Sequence, residues 1–254
     1  MGAPPVVMSY CRDVATTLRA ILGESLSGLY LHGSGAMGGW VGELSDVDLL
    51  AVSDQPLTVD EKQAVASALT SSDLPAPGVG LEFSLVCTES FEPLTPTPGF
   101  ELHITTGVET KVIDGAGHPG DPDLVMHYAL CRERGVAILG PRPHVIFPNV
   151  PRPMLLQALA AEVVWGLKQA PLRYAVLNAC RAWAFAEGGR LLSKVEGAEW
   201  ALERGLEVDA VHGALAVQRG EDAVIDRGAA GRLVARARTA LLGEPESMRA
   251  NEFQ

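Results

Sequence analysis

The 254-residue sequence has few lysines and no long apolar run. Only four of its 20 basic residues are lysines, it has 31 acidic residues, and its net charge is −11. A chain this acidic, with no basic stripe, is poorly suited to bind nucleic-acid phosphates, and we expect no nucleic-acid partner. No stretch approaches the roughly 20 apolar residues that a membrane helix needs, so we expect no membrane association either.

Cysteine is also scarce, and the four cysteines are widely spaced, with no CxxC or Cys/His cluster. This spacing argues against zinc and disulfides and favours buried, reduced thiols. The first residues, MGAPPVVMSYCRD, lack a basic region followed by an apolar core, so we expect no secretory signal. Together these features predict a cytoplasmic protein.

Hydrophobic spacing divides the chain into two halves of different character. The first half alternates strand-like and helical runs, which predicts an α+β domain with a small mixed sheet. From about residue 153 apolar residues recur with helical spacing, which predicts an α-helical bundle. The proline-rich stretch 141–153 marks the boundary, and we place the domains at 1–148 and 149–254. The last residues, EPESMRANEFQ, we expect to be frayed.

The expected elements follow from these patterns. In the first half we expect strands over 29–31, 47–52, 81–86 and 101–105, and helices over 9–22, 58–70 and 123–138. Glycine-rich segments over 32–42 and 114–122 are expected as loops. In the second half we expect helices over 154–168, 173–187, 195–203, 208–217 and 228–242.

The segment Leu29–Val52 contains the most informative pattern. A strand runs into HGSGAMGGWVG, and glycines after a strand let backbone amides approach an anion closely. Asp46 and Asp48 then head a second strand, where residues two apart point to the same face. Neighbouring carboxylates repel unless a cation lies between them, and oxygen ligands favour Mg²⁺. Glu82, on the polar face of a neighbouring strand, is the candidate third carboxylate.

Each of these signals is weak alone, since DxD pairs and glycine-rich loops are common in solvated positions. Their combination in one order is more specific: a strand, a Gly-Ser turn, a glycine loop, SDVD, an apolar strand and a later Glu on a strand. This order predicts a metal-assisted phosphoryl-transfer site.

LHGSGAMGGWVGELSDVDLLAV resembles the signature of the nucleotidyltransferase superfamily with the DNA polymerase β-like fold. More narrowly, it resembles the aminoglycoside adenylyltransferases that act on streptomycin and spectinomycin. GLEFSLV, CRERGVAILGP and RYAVLNACRAWAFAEGGRLLSKVEGAEWAL extend the resemblance over most of residues 20–220. It implies a polymerase β-like nucleotidyltransferase domain, followed by a helical domain, that transfers AMP from Mg²⁺-ATP to an antibiotic hydroxyl and confers resistance.

The resemblance also implies roles for the acidic residues. Asp46 and Asp48 match the family's ligands for the metal ions that bridge the ATP phosphates. Glu82 matches the glutamate that acts as catalytic base on the substrate hydroxyl and as a further metal ligand.

Further matches concern the nucleotide. Gly33 and Ser34 match the phosphate-cradling Gly-Ser pair, and Ser45 matches the serine before the first Asp. Arg181 and Lys194 match the family's phosphate-binding Arg and Lys. An Arg surrounded by apolar residues in a helix is costly to bury without an anionic partner, which agrees with this assignment.

The sequence departs from the family where the antibiotic is recognised. Gly107 stands where streptomycin/spectinomycin enzymes have an aromatic residue. The loop WGLKQAPLR is shorter than theirs. The resemblance matches its Trp165 to the family's Trp, but Lys168 and Pro171 stand where acidic residues are expected. Aminoglycosides are polycations, so lost carboxylates point to a narrower, spectinomycin-like range.

Three other acids are candidates to replace the lost ones: Glu101, Glu109 and Glu162. We expect a cationic small-molecule substrate and a monomer or weak dimer. Two alternatives stay open: an adenylyltransferase of the same fold that acts on another small molecule or a protein hydroxyl, and a non-catalytic nucleotide-binding sensor.

Overall fold

The computed structural model describes residues 2–243, so the tail expected to be frayed lies outside the described residues. Contacts within the chain divide it into two compact units, Met1–Val150 and Pro151–Gln254. The first unit combines a mixed sheet with helices, and the described part of the second is helical. The α+β fold class that the sequence predicts is therefore confirmed. The assignment of independent domains with a boundary at 148/149 stays a prediction.

A six-stranded sheet forms the centre of the first unit. Its strands are β1 Leu26–Leu31, β2 Val47–Ser53, β3 Leu81–Cys87, β4 Leu102–Thr105, β5 Lys111–Asp114 and β6 Val136–Leu139. They lie in the order β5-β4-β3-β2-β1-β6. β2 and β3 are parallel, and the other neighbouring pairs are antiparallel. A parallel pair needs a crossover connection, and here the helix between these two strands supplies it.

Helices cover both faces of this sheet. The helices of the first unit are α1 Pro5–Leu22, α2 Gly33–Ala36, α3 Val59–Leu69, α4 Asp123–Arg134 and α5 Pro143–Ile146. Apolar residues of α1 and α3 pack with Leu49 and Phe83 on one face. Residues of α4 pack with Leu50 and Val86 on the other. Because strand residues alternate between faces, this arrangement buries the central strands on both sides.

The structure corrects three expectations in the first unit. The helix expected over 123–138 ends at Arg134, and the backbone becomes extended at Gly135, which has φ −70° and ψ 153°. The apolar residues after it form β6, which pairs with β1. β5 was not predicted, because its four residues are all exposed and do not alternate between buried and exposed positions. The segment expected as a glycine loop begins with the short helix α2.

The described part of the second unit consists of five helices. They are α6 Arg152–Gln169, α7 Leu172–Gly188, α8 Lys194–Leu202, α9 Val208–Gln218 and α10 Arg227–Leu242. α8 begins with a reciprocal capping box, in which Glu196 N donates to Ser193 Oγ and Ser193 N donates to Glu196 Oε2. α7 ends at Gly188 and is capped by Gly189, whose φ of 69° is a left-handed conformation that glycine adopts easily.

Candidate active site

Three carboxylates meet at one end of the parallel strand pair. Asp48 on β2 is the direct register partner of Glu82 on β3. Asp46 precedes β2 by one residue and shares the face of Asp48. Each residue offers a carboxylate oxygen, and these oxygens lie within 4.8 Å of one another. The structure thus brings together the three acids that the sequence singled out as a metal-binding set.

This donor set suits a hard divalent cation. Mg²⁺ binds oxygen ligands at about 2.0–2.1 Å, so opposite ligands lie about 4.2 Å apart, close to the spread of the three oxygens. Three carboxylates this close also repel one another without a cation. The residues present therefore fit a Mg²⁺ site, and their roles as ligands stay a prediction.

Gly33, the first residue of α2, lies directly against the carboxylate of Asp48. Gly33 has a φ of 57°, and a Cβ at this position would overlap Asp48 Oδ2. Only glycine combines this backbone conformation with such a close approach. Ser34 Oγ is buried and, within residues 2–243, makes no hydrogen bond. A buried hydroxyl needs a partner, and a phosphate oxygen beside the three carboxylates would supply one.

Ser45 anchors the glycine loop. Its side chain is buried, and its Oγ accepts a hydrogen bond of 3.0 Å from Val41 N. Its carbonyl accepts one of 2.9 Å from Val79 N. These two hydrogen bonds hold the backbone that leads into Asp46. The contact of Ser45 with the nucleotide stays a prediction.

Arg181 and Lys194 belong to the second unit, and the charges of both act on Glu162. Arg181 is on α7, and α8 packs against it at Gly197, where a Cβ would lie 2.7 Å from Arg181 Cα. Lys194 is the first residue of α8. Its Nζ lies 4.7 Å from the centroid of the Tyr174 ring, a cation–π contact. The unit thus presents two cations at one helix-helix contact, as a phosphate-binding role would require.

Two of the three candidate substrate acids are engaged in ion pairs. Glu101 Oε2 lies 3.2 Å from Lys62 Nζ and accepts a hydrogen bond from Leu57 N. Glu109 is exposed and lies 3.1 Å from Lys111 Nζ. The proposed contact of these two residues with substrate gains no support from these arrangements.

The third acid, Glu162, has a buried hydrogen-bond network. Its Oε1 accepts 2.7 Å and 3.1 Å hydrogen bonds from Tyr174 and Asn178. Burial raises the pKa of Glu162, although the Tyr174 hydroxyl and the charges of Arg181 and Lys194 partly oppose this. The network is not part of the sequence prediction. The i, i+4, i+7 spacing of Tyr174, Asn178 and Arg181 places them on one face of α7, but no sequence pattern pairs that face with Glu162.

A mixed sheet that brings three carboxylates together beside Gly33, followed along the chain by a helical unit, is an arrangement suited to metal-assisted nucleotidyl transfer. Residues 145–227 match the family model described as "Aminoglycoside adenylyltransferase, C-terminal domain". A solved spectinomycin adenyltransferase, AAD(9) from Enterococcus faecialis with ATP and spectinomycin, shares the fold with a TM-score of 0.70. It is 17% identical, and the match covers 92% of this chain and 98% of that one.

Curated relatives agree with this match. An aminoglycoside (3'') (9) adenylyltransferase from Klebsiella pneumoniae is 26% identical over 78% of this chain and 79% of its own length. A spectinomycin 9-adenylyltransferase from Staphylococcus aureus (strain Mu50 / ATCC 700699) is 26% identical over 73% of this chain and 74% of its own length. Over most of its length this chain is therefore similar to aminoglycoside and spectinomycin adenylyltransferases. Among the described residues, no helix combines the length and apolar character needed to cross a bilayer.

Proposed function

We propose that this protein transfers AMP from Mg²⁺-ATP to a hydroxyl of an aminocyclitol antibiotic of the spectinomycin or streptomycin type, and so confers resistance. The proposal rests on the geometry of Asp46, Asp48 and Glu82. Their carboxylate oxygens lie within 4.8 Å of one another, beside Gly33. The names of its relatives support the class of acceptor.

Different residues of the first unit bind the metal, bind the phosphates and accept the proton. Asp46, Asp48 and Glu82 would hold Mg²⁺, which when bound draws negative charge from the α-phosphate and orients it. The Gly33-Ser34 backbone and the Ser34 hydroxyl bind phosphate oxygens. Glu82 accepts the proton of the acceptor hydroxyl, whose oxygen bonds to the α-phosphorus as the bond to the β-phosphate oxygen breaks and pyrophosphate leaves.

Arg181 and Lys194 offset the charge that collects on the leaving pyrophosphate. Most of the rate enhancement then comes from positioning and electrostatics, as is usual in phosphoryl transfer. Within this proposal spectinomycin is the preferred acceptor. Lys168 and Pro171 occupy positions where acidic residues are expected if the site binds a larger polycation.

The test is pyrophosphate release from Mg²⁺-ATP with a panel of aminoglycosides and aminocyclitols. We expect release that depends on both an acceptor and Mg²⁺, and that falls at least about 100-fold in Asp48→Asn, because the site loses one ligand charge. The exposed Asp73 gives a control, Asp73→Asn, with full activity. Full activity in Asp48→Asn would contradict the metal assignment. ATP binding without release for any acceptor would favour a sensor.

A further inference from the structure

Glu162 is the centre of a buried hydrogen-bond network, and the role assigned to it rests on the proposed function of Arg181 and Lys194 as phosphate-binding residues. Glu162 lies on α6 with a relative exposure of 8%. Tyr174 Oη and Asn178 Nδ2 both donate to Glu162 Oε1, at 2.7 Å and 3.1 Å. Tyr174 and Asn178 lie on the stripe of α7 that also carries Arg181. The carboxylate therefore fixes the side chains that precede Arg181 by one and two turns.

The same network reaches Lys194 through the ring of Tyr174. The Tyr174 hydroxyl is held by Glu162, and its ring faces Lys194 Nζ at 4.7 Å. Lys194 is the first residue of α8, where the positive end of the helix dipole disfavours a cation. The helix end does not stabilise the ammonium, whereas the ring of Tyr174 does so through the cation–π contact.

Glu162 acts electrostatically on both cations. The charges of Arg181 and Lys194 each favour its ionised form, so its own charge stabilises them in return. A buried carboxylate costs free energy relative to an apolar residue of similar size, and packing alone does not explain its presence. The cations on which the charge of Glu162 acts are Arg181 and Lys194.

We propose that Glu162 is a positioning residue: it holds Tyr174 and Asn178 so that Arg181 and Lys194 are fixed in place, and its negative charge limits how tightly these cations bind pyrophosphate. Without that charge the same cations would attract the phosphates more strongly, and the product would leave more slowly.

The test compares pyrophosphate binding and steady-state kinetics of the full-length wild type with those of Glu162→Gln at about pH 8, because the pKa of Glu162 is raised and a higher pH favours its charged form. Glutamine keeps the size and an oxygen that accepts both hydrogen bonds but removes the charge. We expect Glu162→Gln to bind pyrophosphate about three- to tenfold more tightly, and kcat and the KM for ATP to fall together. The exposed Glu199 on α8 gives a matched control, Glu199→Gln, with unchanged binding.

A second variant protects the test against a folding defect in the first. Tyr174→Phe keeps the ring that faces Lys194 but removes the hydroxyl that favours the charged form of Glu162. We expect a smaller change in the same direction. Thermal unfolding of each variant shows whether it is folded.

The outcomes separate the two proposals. If the wild type binds pyrophosphate and folded Glu162→Gln binds it equally or more weakly, the positioning role is wrong and the proposed function stands. If Glu162→Gln does not fold, an unchanged or weaker affinity in Tyr174→Phe overturns the role in the same way. If the wild type binds neither ATP nor pyrophosphate, or if Arg181→Ala and Lys194→Ala bind pyrophosphate like the wild type, the phosphate assignment fails and takes this inference with it.

Discussion

At the scale of single residues, Asp121 joins the sheet to the helix that covers it. Its Oδ2 lies 2.9 Å from Nε2 of His103 on β4, and its Oδ1 accepts a hydrogen bond from Asp123 N at the start of α4. Nδ1 of the same histidine lies 2.7 Å from Ser84 Oγ on β3. Burial raises the pKa of Asp121, but the contacts with His103 and the Asp123 amide outweigh it, and the net pKa is lowered.

A lowered carboxyl pKa makes a contribution to folding stability that is present above the unfolded pKa, about 3.9, and is lost as the pH falls through the folded value. We therefore expect Asp121→Asn to lower the free energy of unfolding by about 1–2 kcal/mol at pH ~7, with a smaller difference at pH ~3. Chemical denaturation at both pH values measures this, with Asp73→Asn as an exposed control. An equal loss at both pH values would contradict the account.

At the scale of elements, the contact between α7 and α8 depends on Gly197. A Cβ there would lie 2.7 Å from the Cα, Cβ and N atoms of Arg181, closer than packed atoms approach. The absence of a side chain lets the helix that begins at Lys194 lie directly on the one that carries Arg181. The close packing of the helices that carry Arg181 and Lys194 thus depends on the absence of a side chain at Gly197.

We expect Gly197→Ala to destabilise the protein by about 1–3 kcal/mol, although alanine is the better helix former, because the extra carbon forces the two helices apart. ATP affinity should fall with it, since Arg181 moves. Gly231→Ala in α10 is the matched control: nothing lies within 4 Å of a Cβ there, and we expect a neutral effect or up to about 1 kcal/mol of added stability. Denaturation and ATP titration of both variants measure this, and similar effects of both changes would contradict it.

The elements also show how far the sequence predicts the fold and the site. Asp48 and Glu82 could be placed because strand alternation fixes which side chains share a face, and the register confirms that they are neighbours. β6 could not, because its apolar residues continue a helical pattern and only pairing with β1 makes them a strand. The link from Glu162 to Tyr174 joins two helices, and such tertiary contacts have no local sequence pattern.

At the scale of the whole molecule, the net charge of −11 has several local sources. Three acids form the candidate metal site, Glu162 lies among cations of the helical unit, and Glu101 pairs with Lys62. The total therefore says little about the charge of the substrate. Recognition of the acceptor must be judged from individual side chains rather than from the overall charge.

The most direct test of the central claim is the mass of spectinomycin after incubation with the purified protein and Mg²⁺-ATP. We expect spectinomycin to gain one adenylyl group with the wild type, with streptomycin modified less, and no gain with Asp48→Asn or after chelation of the metal. Spectinomycin and streptomycin that both stay unmodified while the folded protein binds ATP would contradict the claim.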